Sequence, residues 1–336
     1  MTQPLDVDIR LRRFGSTDLN VSEFGLGCAR VGGIFQRDTA DFLKLFSAAL
    51  DAGINFFDTA DIYSQGESEV LLGRAFRRRR DQVVIASKAG FVLPAQRRIV
   101  ARLKPFVRPL LGLIRLGRHH LPDAVRGTPA QSFSPSHLRH AVEGSLQRLG
   151  TDRLDLFQLH SPPASVVDGA DWLEALDRLK QEGKIRYYGI SCDTVDAASA
   201  ALRQSRVSSI QVPINLLERD FVDVLPRARE QGVAVIAREC LANGLLVKEA
   251  SAIDVEAYCQ SPADAALKTA RLESCRQTAV ENGCTLATLA LKFVSHLEGV
   301  SVSLIGVSRL RQLEGLLAGG ITSTKQSELR GIPRWA

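Results

Sequence analysis

The sequence predicts an α/β barrel of eight parallel strands alternating with helices, a (β/α)8 architecture. Three observations predict it. Eight short apolar segments, near residues 24, 54, 83, 154, 185, 208, 233 and 301, are separated by stretches of helical periodicity. Most of them carry Val, Ile and Leu at successive rather than alternate positions, as strands buried on both faces do. An Asp, a Tyr, a Lys and a His stand at or just past the ends of three consecutive segments, and in a parallel barrel such ends gather on one face.

Taken in order, Arg10–Phe14 and Leu19–Phe24 flank the turn-forming Gly15-Ser16-Thr17-Asp18 and read as a hairpin. The first barrel strand is Phe24–Cys28. Asp38-Thr39 caps a helix through Leu50 with Phe42, Leu45, Phe46 and Ala49 on one face, and Gly53 stops it. Strand two, from Ile54, ends at Asp58, and a helix over 69–80 precedes strand 83–87. Residues 90–133 are an insertion. Ser134-Pro135 then starts a helix that Gly150 ends. Strand 154–159, helix 169–182, strand 185–190, helix 195–204, strand 208–212, helix 219–230 and strand 233–237 follow. Residues 240–268 read as a second long connection, ahead of helices 269–282 and 285–297, strand 300–305 and helix 309–317. The competing architecture, an open doubly wound sheet, would want Gly-x-Gly-x-x-Gly after its first strand; Gly25-x-Gly27 lacks the third glycine.

Composition narrows the class. Hydrophobic residues are 45% and charged residues 24% of 336, the mix of a soluble globular protein, and the length suits one barrel domain over 1–336. No apolar run is long enough to span a membrane. The first residues lack the basic start and apolar core of a signal peptide. Six cysteines include no Cys-x-x-Cys pair, so a reducing cytoplasm is the default and no metal site is expected. His119, His120, His137 and His140 have no carboxylate or cysteine at ligand spacing. A net charge of +6 suits anionic ligands without arguing for nucleic acid.

The strand-end residues suggest a chemistry. An unperturbed Tyr has a pKa near ~10 and is a poor acid at neutral pH. An ammonium nearby stabilises the phenolate. Lys88 supplies that ammonium, Asp58 pairs with it, and His160 hydrogen-bonds a substrate oxygen or shares in proton transfer, leaving Tyr63 as a general acid aimed at one point. Each residue also has a plain reading: Tyr63 as packing, Asp58 as a helix cap, Lys88 as a solvated strand end, His160 as satisfied structure. Their conjunction favours the chemical reading.

Phe57-Asp58-Thr59-Ala60-x-x-Tyr63 with Glu67-x-Glu69-x-x-Leu72-Gly73-x-Ala75 resembles the aldo-keto reductase signature. So do Leu149-Gly150-Thr151-Asp152-x-Leu154-Asp155 and Gly183–Ser191, and the resemblance runs from the hairpin to about residue 318, outside the two insertions. It implies a (β/α)8 TIM barrel whose N-terminal hairpin closes the bottom; the two insertions are then long loops after strands 3 and 7. It implies NADPH/NADP+ in preference to NADH, and hydride transfer between nicotinamide and an aldehyde, ketone or alcohol. By the same resemblance Tyr63 is the acid, Lys88 and Asp58 tune it, and His160 orients the carbonyl. Ser191 and Gln211 hold the carboxamide, and Gly27, Asp58, Leu241 and Gly244 border the cofactor. Gly306, Ser308, Arg309 and Gln312 grip the adenosine 2′-phosphate, an assignment that agrees with a helix N-terminus opening at Ser308. The plain reading of Arg309 and Arg311 is a solvated helix face. The chain departs from the family at Cys192, Ile214, Cys240 and Leu316. Ile214 is expected to cover a nicotinamide face without aromatic stacking, a difference worth ~1 kcal/mol.

Residues 90–133 carry eight Lys or Arg side chains against Asp123, interleaved with apolar residues. A lid over the barrel mouth is the favoured reading, and a basic amphipathic segment on a membrane or acidic partner the other. A lid of this kind suits a bulky hydrophobic or anionic substrate. Sugars, polyketides, terpenoid ketones and simple aldehydes all remain compatible, and oligomeric state is open. Two rival functions are a cofactor-binding regulatory subunit with little turnover and an aldolase using Lys88 as a Schiff base. The complete tetrad favours a reductase over the first, and an Asp beside Lys88 disfavours the second.

Overall fold

The computed structural model describes residues 9–32, 39–92, 130–247, 255–259 and 261–321. Eight parallel strands close a barrel: β3 (Phe24–Gly27), β4 (Phe56–Asp58), β5 (Val84–Ala89), β8 (Leu154–His160), β9 (Ile185–Ser191), β10 (Ser209–Pro213), β11 (Ala234–Arg238) and β12 (Val300–Ile305), with β12 returning to β3. The predicted fold class is the observed one. Burial on both faces explains the apolar runs: every residue of β5, β8 and β12 is buried.

The antiparallel hairpin β1 (Leu11–Arg13) and β2 (Asn20–Ser22) closes the bottom. Its Phe14, Leu19 and Val21 pack in one cluster with Phe56, Leu156, Ile236 and other inward residues of the barrel strands. An apolar plug at that end leaves the opposite end for polar chemistry. The insertion leaves and re-enters as a second antiparallel pair, β6 (Phe91–Val92) with β7 (Ala130–Gln131). Residues 93–129, and with them most of the proposed lid, lie outside the described residues.

Several helix limits differ from expectation, each for a local reason. Helix α1 (Thr39–Asp51) buries Phe42, Leu45, Phe46 and Ala49 as its periodicity requires. Helix α2 is Glu67–Phe76 rather than 69–80. The chain turns out of it so that Arg80 reaches the buried Asp155 carboxylate at 2.8 Å. Helix α3 (Pro135–Leu149) begins with the Ser134 side chain accepting from the His137 N–H, and ends at Gly150 with φ +63°. The helix expected over 219–230 is α helix only from Leu225 to Glu230, after a 3-10 turn at Val222–Val224. The connection expected through 268 is helical from Pro262 onward, in a single helix to Glu281. Ser261-Pro262 repeats the Ser-Pro start of Ser134-Pro135, with the Ser261 hydroxyl accepting from Asp264 N–H.

Candidate active site

Strand parity brings the four expected residues together at the open end. In β4 the inward side chains are Phe56 and Asp58, in β5 Val84, Ala86 and Lys88, and in β8 Leu156, Gln158 and His160. Lys88 and Asp58 form an enclosed ion pair, with Nζ 2.8 Å and 2.6 Å from the two carboxylate oxygens and 2.9 Å from the Thr59 carbonyl. Tyr63 follows β4 by five residues. Two left-handed residues, Ser64 (φ +50°) and Gln65 (φ +61°), turn the chain immediately after it. The Ser64 hydroxyl donates to the Val31 carbonyl at 2.6 Å, tying this turn to the loop after β3. The Lys88 ammonium lies 5.1 Å from the Tyr63 ring centroid. The His160 ring meets Tyr63 edge-on at 5.8 Å and Phe91 edge-on at 4.8 Å.

Burial and charge set the protonation states. Burial raises the Tyr63 phenol above its usual value, and the Lys88 charge pulls against it. Burial alone would lower Lys88; the Asp58 carboxylate and then Tyr63 outweigh it, so the ammonium is held charged above its ordinary value. His160 is held well below the usual imidazole range by burial first, then by the charges of Lys88 and Arg238. Around neutral pH the cluster therefore contains a protonated phenol, an ammonium–carboxylate pair and a neutral imidazole. An ammonium locked to a carboxylate is a poor Schiff-base nucleophile, which argues against the aldolase reading.

The tetrad lines a cavity of about 850 Å³ whose wall also includes residues of the last helix (Leu310–Ala318). Gly27, Ser191 and Gln211 line the cavity beside Asp58, and Leu241 and Gly244 line it from the connection after β11. Gly306 and Gln312 line it as well. Ser308 and Arg309 are not among the described residues of the cavity wall, and the helix start they form is capped from within. The Gln312 Oε1 accepts from the Ser308 N–H at 3.0 Å and the Arg309 N–H at 3.1 Å. Ile214, expected over the nicotinamide, is fully buried and also absent from the described wall. Gln211 donates from Nε2 to Asp58 at 2.8 Å and accepts from the Ser191 hydroxyl at 3.2 Å, which joins both residues to the tetrad through hydrogen bonds.

Three further residues belong to the site. Arg238 ends β11 and lines the cavity. Its guanidinium is held by Asp193 at 2.5 Å and by Glu239. Ala234 and Ile236 face the barrel interior, so the two-residue parity of the strand already aimed Arg238 inward. Gln158 follows the same parity two residues before His160 and donates to Asp58 at 3.4 Å. Arg311, for which a solvated helix face was the alternative reading, also lines the cavity. The lining suits a large polar ligand such as a dinucleotide: a cavity of this volume with several glycines, a hydrogen-bonded Ser191–Gln211 pair beside the tetrad, and several cations among its described residues. Among the described residues no cluster of three or more metal-ligating side chains occurs, and no helix is long and apolar enough to cross a membrane.

Comparison with known proteins agrees with this geometry. The sequence profile of the Aldo/keto reductase family matches residues 23–330. The uncharacterized oxidoreductase YqkF of Bacillus subtilis (strain 168) is 33% identical over 244 residues, 72% of this chain and 68% of that protein. A D-threo-aldose 1-dehydrogenase from Pseudomonas sp is 33% identical over 237 residues, 68% of this chain and 69% of that protein. The holo form of aldo-keto reductase AKR11C1 from Bacillus halodurans superimposes with a TM-score of 0.75 at 27% identity, covering 98% of both chains. The chain is an oxidoreductase of the aldo/keto reductase family.

Proposed function

We propose that the protein reduces an aldehyde or ketone with NADPH, and oxidises the corresponding alcohol in reverse, with Tyr63 as the general acid and base. One observation carries the proposal: a cavity-facing phenol stands beside an ammonium that a buried carboxylate keeps charged. NADPH supplies a hydride equivalent at its nicotinamide. The chain supplies the rest. The neutral His160 imidazole hydrogen-bonds the substrate oxygen without competing as a strong acid. Tyr63 donates its proton to that oxygen as negative charge develops there, and Lys88 stabilises the phenolate left behind. Asp58 keeps Lys88 charged, and Gln211 and Gln158 keep Asp58 oriented. In the oxidation direction the same phenolate removes the alcohol proton.

The substrate we infer is a polyhydroxylated aldehyde. The wall near the tetrad carries Ser161, Asp193, Arg238, Glu239 and Asn243, side chains able to hydrogen-bond hydroxyl groups. One relative is named for its action on D-threo-aldoses, which supports the same class. The experiment is NADPH consumption, and NADP+ reduction in reverse, over a panel led by aldoses and including simple aldehydes and hydrophobic ketones. Turnover with aldoses supports the whole reading. Turnover only with hydrophobic ketones removes the sugar assignment, and tight cofactor binding with no turnover across the panel would favour a regulatory role.

A further inference from the structure

We infer that Phe91 is a positioning residue: its ring, carried on the two-stranded stem of the insertion after β5, sets the direction in which the His160 imidazole faces the substrate oxygen. The inference rests on the proposed role of His160 and adds to it a residue that acts through that ring. A histidine ring turns about a broad, roughly two-fold torsion, so its neighbours decide which nitrogen meets the cavity. Turning the ring over exchanges each nitrogen for a carbon and removes the hydrogen bond to a substrate. His160 Nδ1 is enclosed and has no hydrogen-bond partner among the described residues. Ring packing holds the imidazole instead. Phe91 meets it edge-on, with centroids 4.8 Å apart and planes at 79°. Tyr63 meets it at 5.8 Å and 83°. All three rings line the cavity.

The stem is built against the end of β8. Gly90, between β5 and β6, has φ +151°, a conformation that favours glycine. A Cβ there would stand 2.4 Å from a Phe133 ring carbon and 3.1 Å from the His160 carbonyl oxygen. That close approach delivers Phe91 to the imidazole. The Ser132 N–H donates to the Gly90 carbonyl at 2.8 Å and closes the stem. From β7, the Gln131 Nε2 donates to the Ser161 carbonyl at 2.9 Å and the His160 carbonyl at 3.3 Å. One stem therefore holds the backbone of His160 through β7 and its ring through β6. Phe91 itself is only partly buried, so truncating it spares the core.

The test uses the wild type, Phe91→Leu, Phe91→Tyr, His160→Gln and the Phe91→Leu/His160→Gln double variant. The first readout is the nuclear Overhauser effect between the His160 and Tyr63 ring protons, with the His160 signals assigned by their loss in His160→Gln. The expected result is a contact present in the wild type, lost in Phe91→Leu and kept in Phe91→Tyr. The second readout is the single-turnover rate of NADPH oxidation with glyceraldehyde. Phe91→Leu should lower it by about 10-fold or more when His160 is present, and by less than about 2-fold in the His160→Gln background. NADPH affinity should stay within about 2-fold throughout, which also reports a folded barrel. An intact His160–Tyr63 contact in Phe91→Leu overturns the inference. So does an equal rate loss in both backgrounds, which would make Phe91 a direct substrate contact. Absence of NADPH oxidation in the wild type counts against the proposed substrate, and the ring contact then decides the placement of His160 by itself.

Discussion

Replacing Asp58 with Asn tests the electrostatic core of the site. The Lys88 side chain is 1% exposed and the Asp58 side chain 5%. Removing one member of so enclosed a pair leaves the other as an uncompensated charge, at a cost of about 3–5 kcal/mol. The Thr59 carbonyl still accepts from Nζ, which points to the lower part of that range. The sign of the pH dependence follows from linkage. In the wild type the Lys88 pKa is raised, because Asp58 and Tyr63 outweigh burial. That contribution is complete below about pH 10.4 and is lost only as pH rises through the raised value. In Asp58→Asn burial acts without the carboxylate and lowers the lysine pKa instead. The unfolded chain then holds a proton that the folded chain does not, so stability rises with pH up to about 10.4. Urea unfolding of both proteins at pH 7 and pH 9.5 measures the difference. The expected loss is about 3–5 kcal/mol at pH 7 and smaller at pH 9.5. Adding Lys88→Met should recover most of it. A loss below about 1 kcal/mol at pH 7, or one that grows with pH, refutes the reasoning.

Three further outcomes are expected. Gly73→Ala places a Cβ 2.2 Å from the Leu149 carbonyl oxygen, where α2 crosses the end of α3; denaturant titration should show a loss of about 1–3 kcal/mol from overpacking. The reduction rate should stay flat through neutral pH and fall only above about pH 10, because burial raises the Tyr63 pKa and the acid must be protonated; a fall centred near pH 7 would assign the acid to another group. His160, held well below the imidazole range, contributes stability that is present above about pH 6.5 and lost as pH falls toward its lowered value. His160→Gln should therefore flatten the acid limb of the stability curve measured by urea unfolding.

That Asp58, Tyr63, Lys88 and His160 come together was legible because they stand at or just past strand ends, and a strand end in a parallel barrel has a known direction. The family-signature residues that do not line the cavity have equally physical roles. Glu69 is fully buried and joins the Ser87 hydroxyl at 2.6 Å to Arg148 at 2.5 Å. Asp155 accepts from the Ile85 N–H at 2.9 Å and pairs with Arg80 and Arg186. Gly73 makes room for the Leu149 carbonyl. Arg238 was missed although counting inward positions along β11 reaches it; Asp193, which helps hold it, lies on another segment. Ser261-Pro262 carried a helix start that the polar, weakly periodic stretch after it obscured. At the start of the last helix the same residues have a second use: the Gln312 side chain accepts from the Ser308 N–H and caps the helix from within, a contact that the spacing of Ser and Gln four residues apart permits.

The central claim is that Tyr63 delivers the proton. The direct measurement is the single-turnover rate of NADPH oxidation by the best substrate of the panel, for the wild type and Tyr63→Phe, with the dissociation constant for NADPH measured on both proteins. The account predicts a rate lower by about 10²–10⁴-fold in the variant, the usual contribution of a general acid, with cofactor affinity unchanged. Equal rates in the two proteins, at equal cofactor affinity, would contradict it.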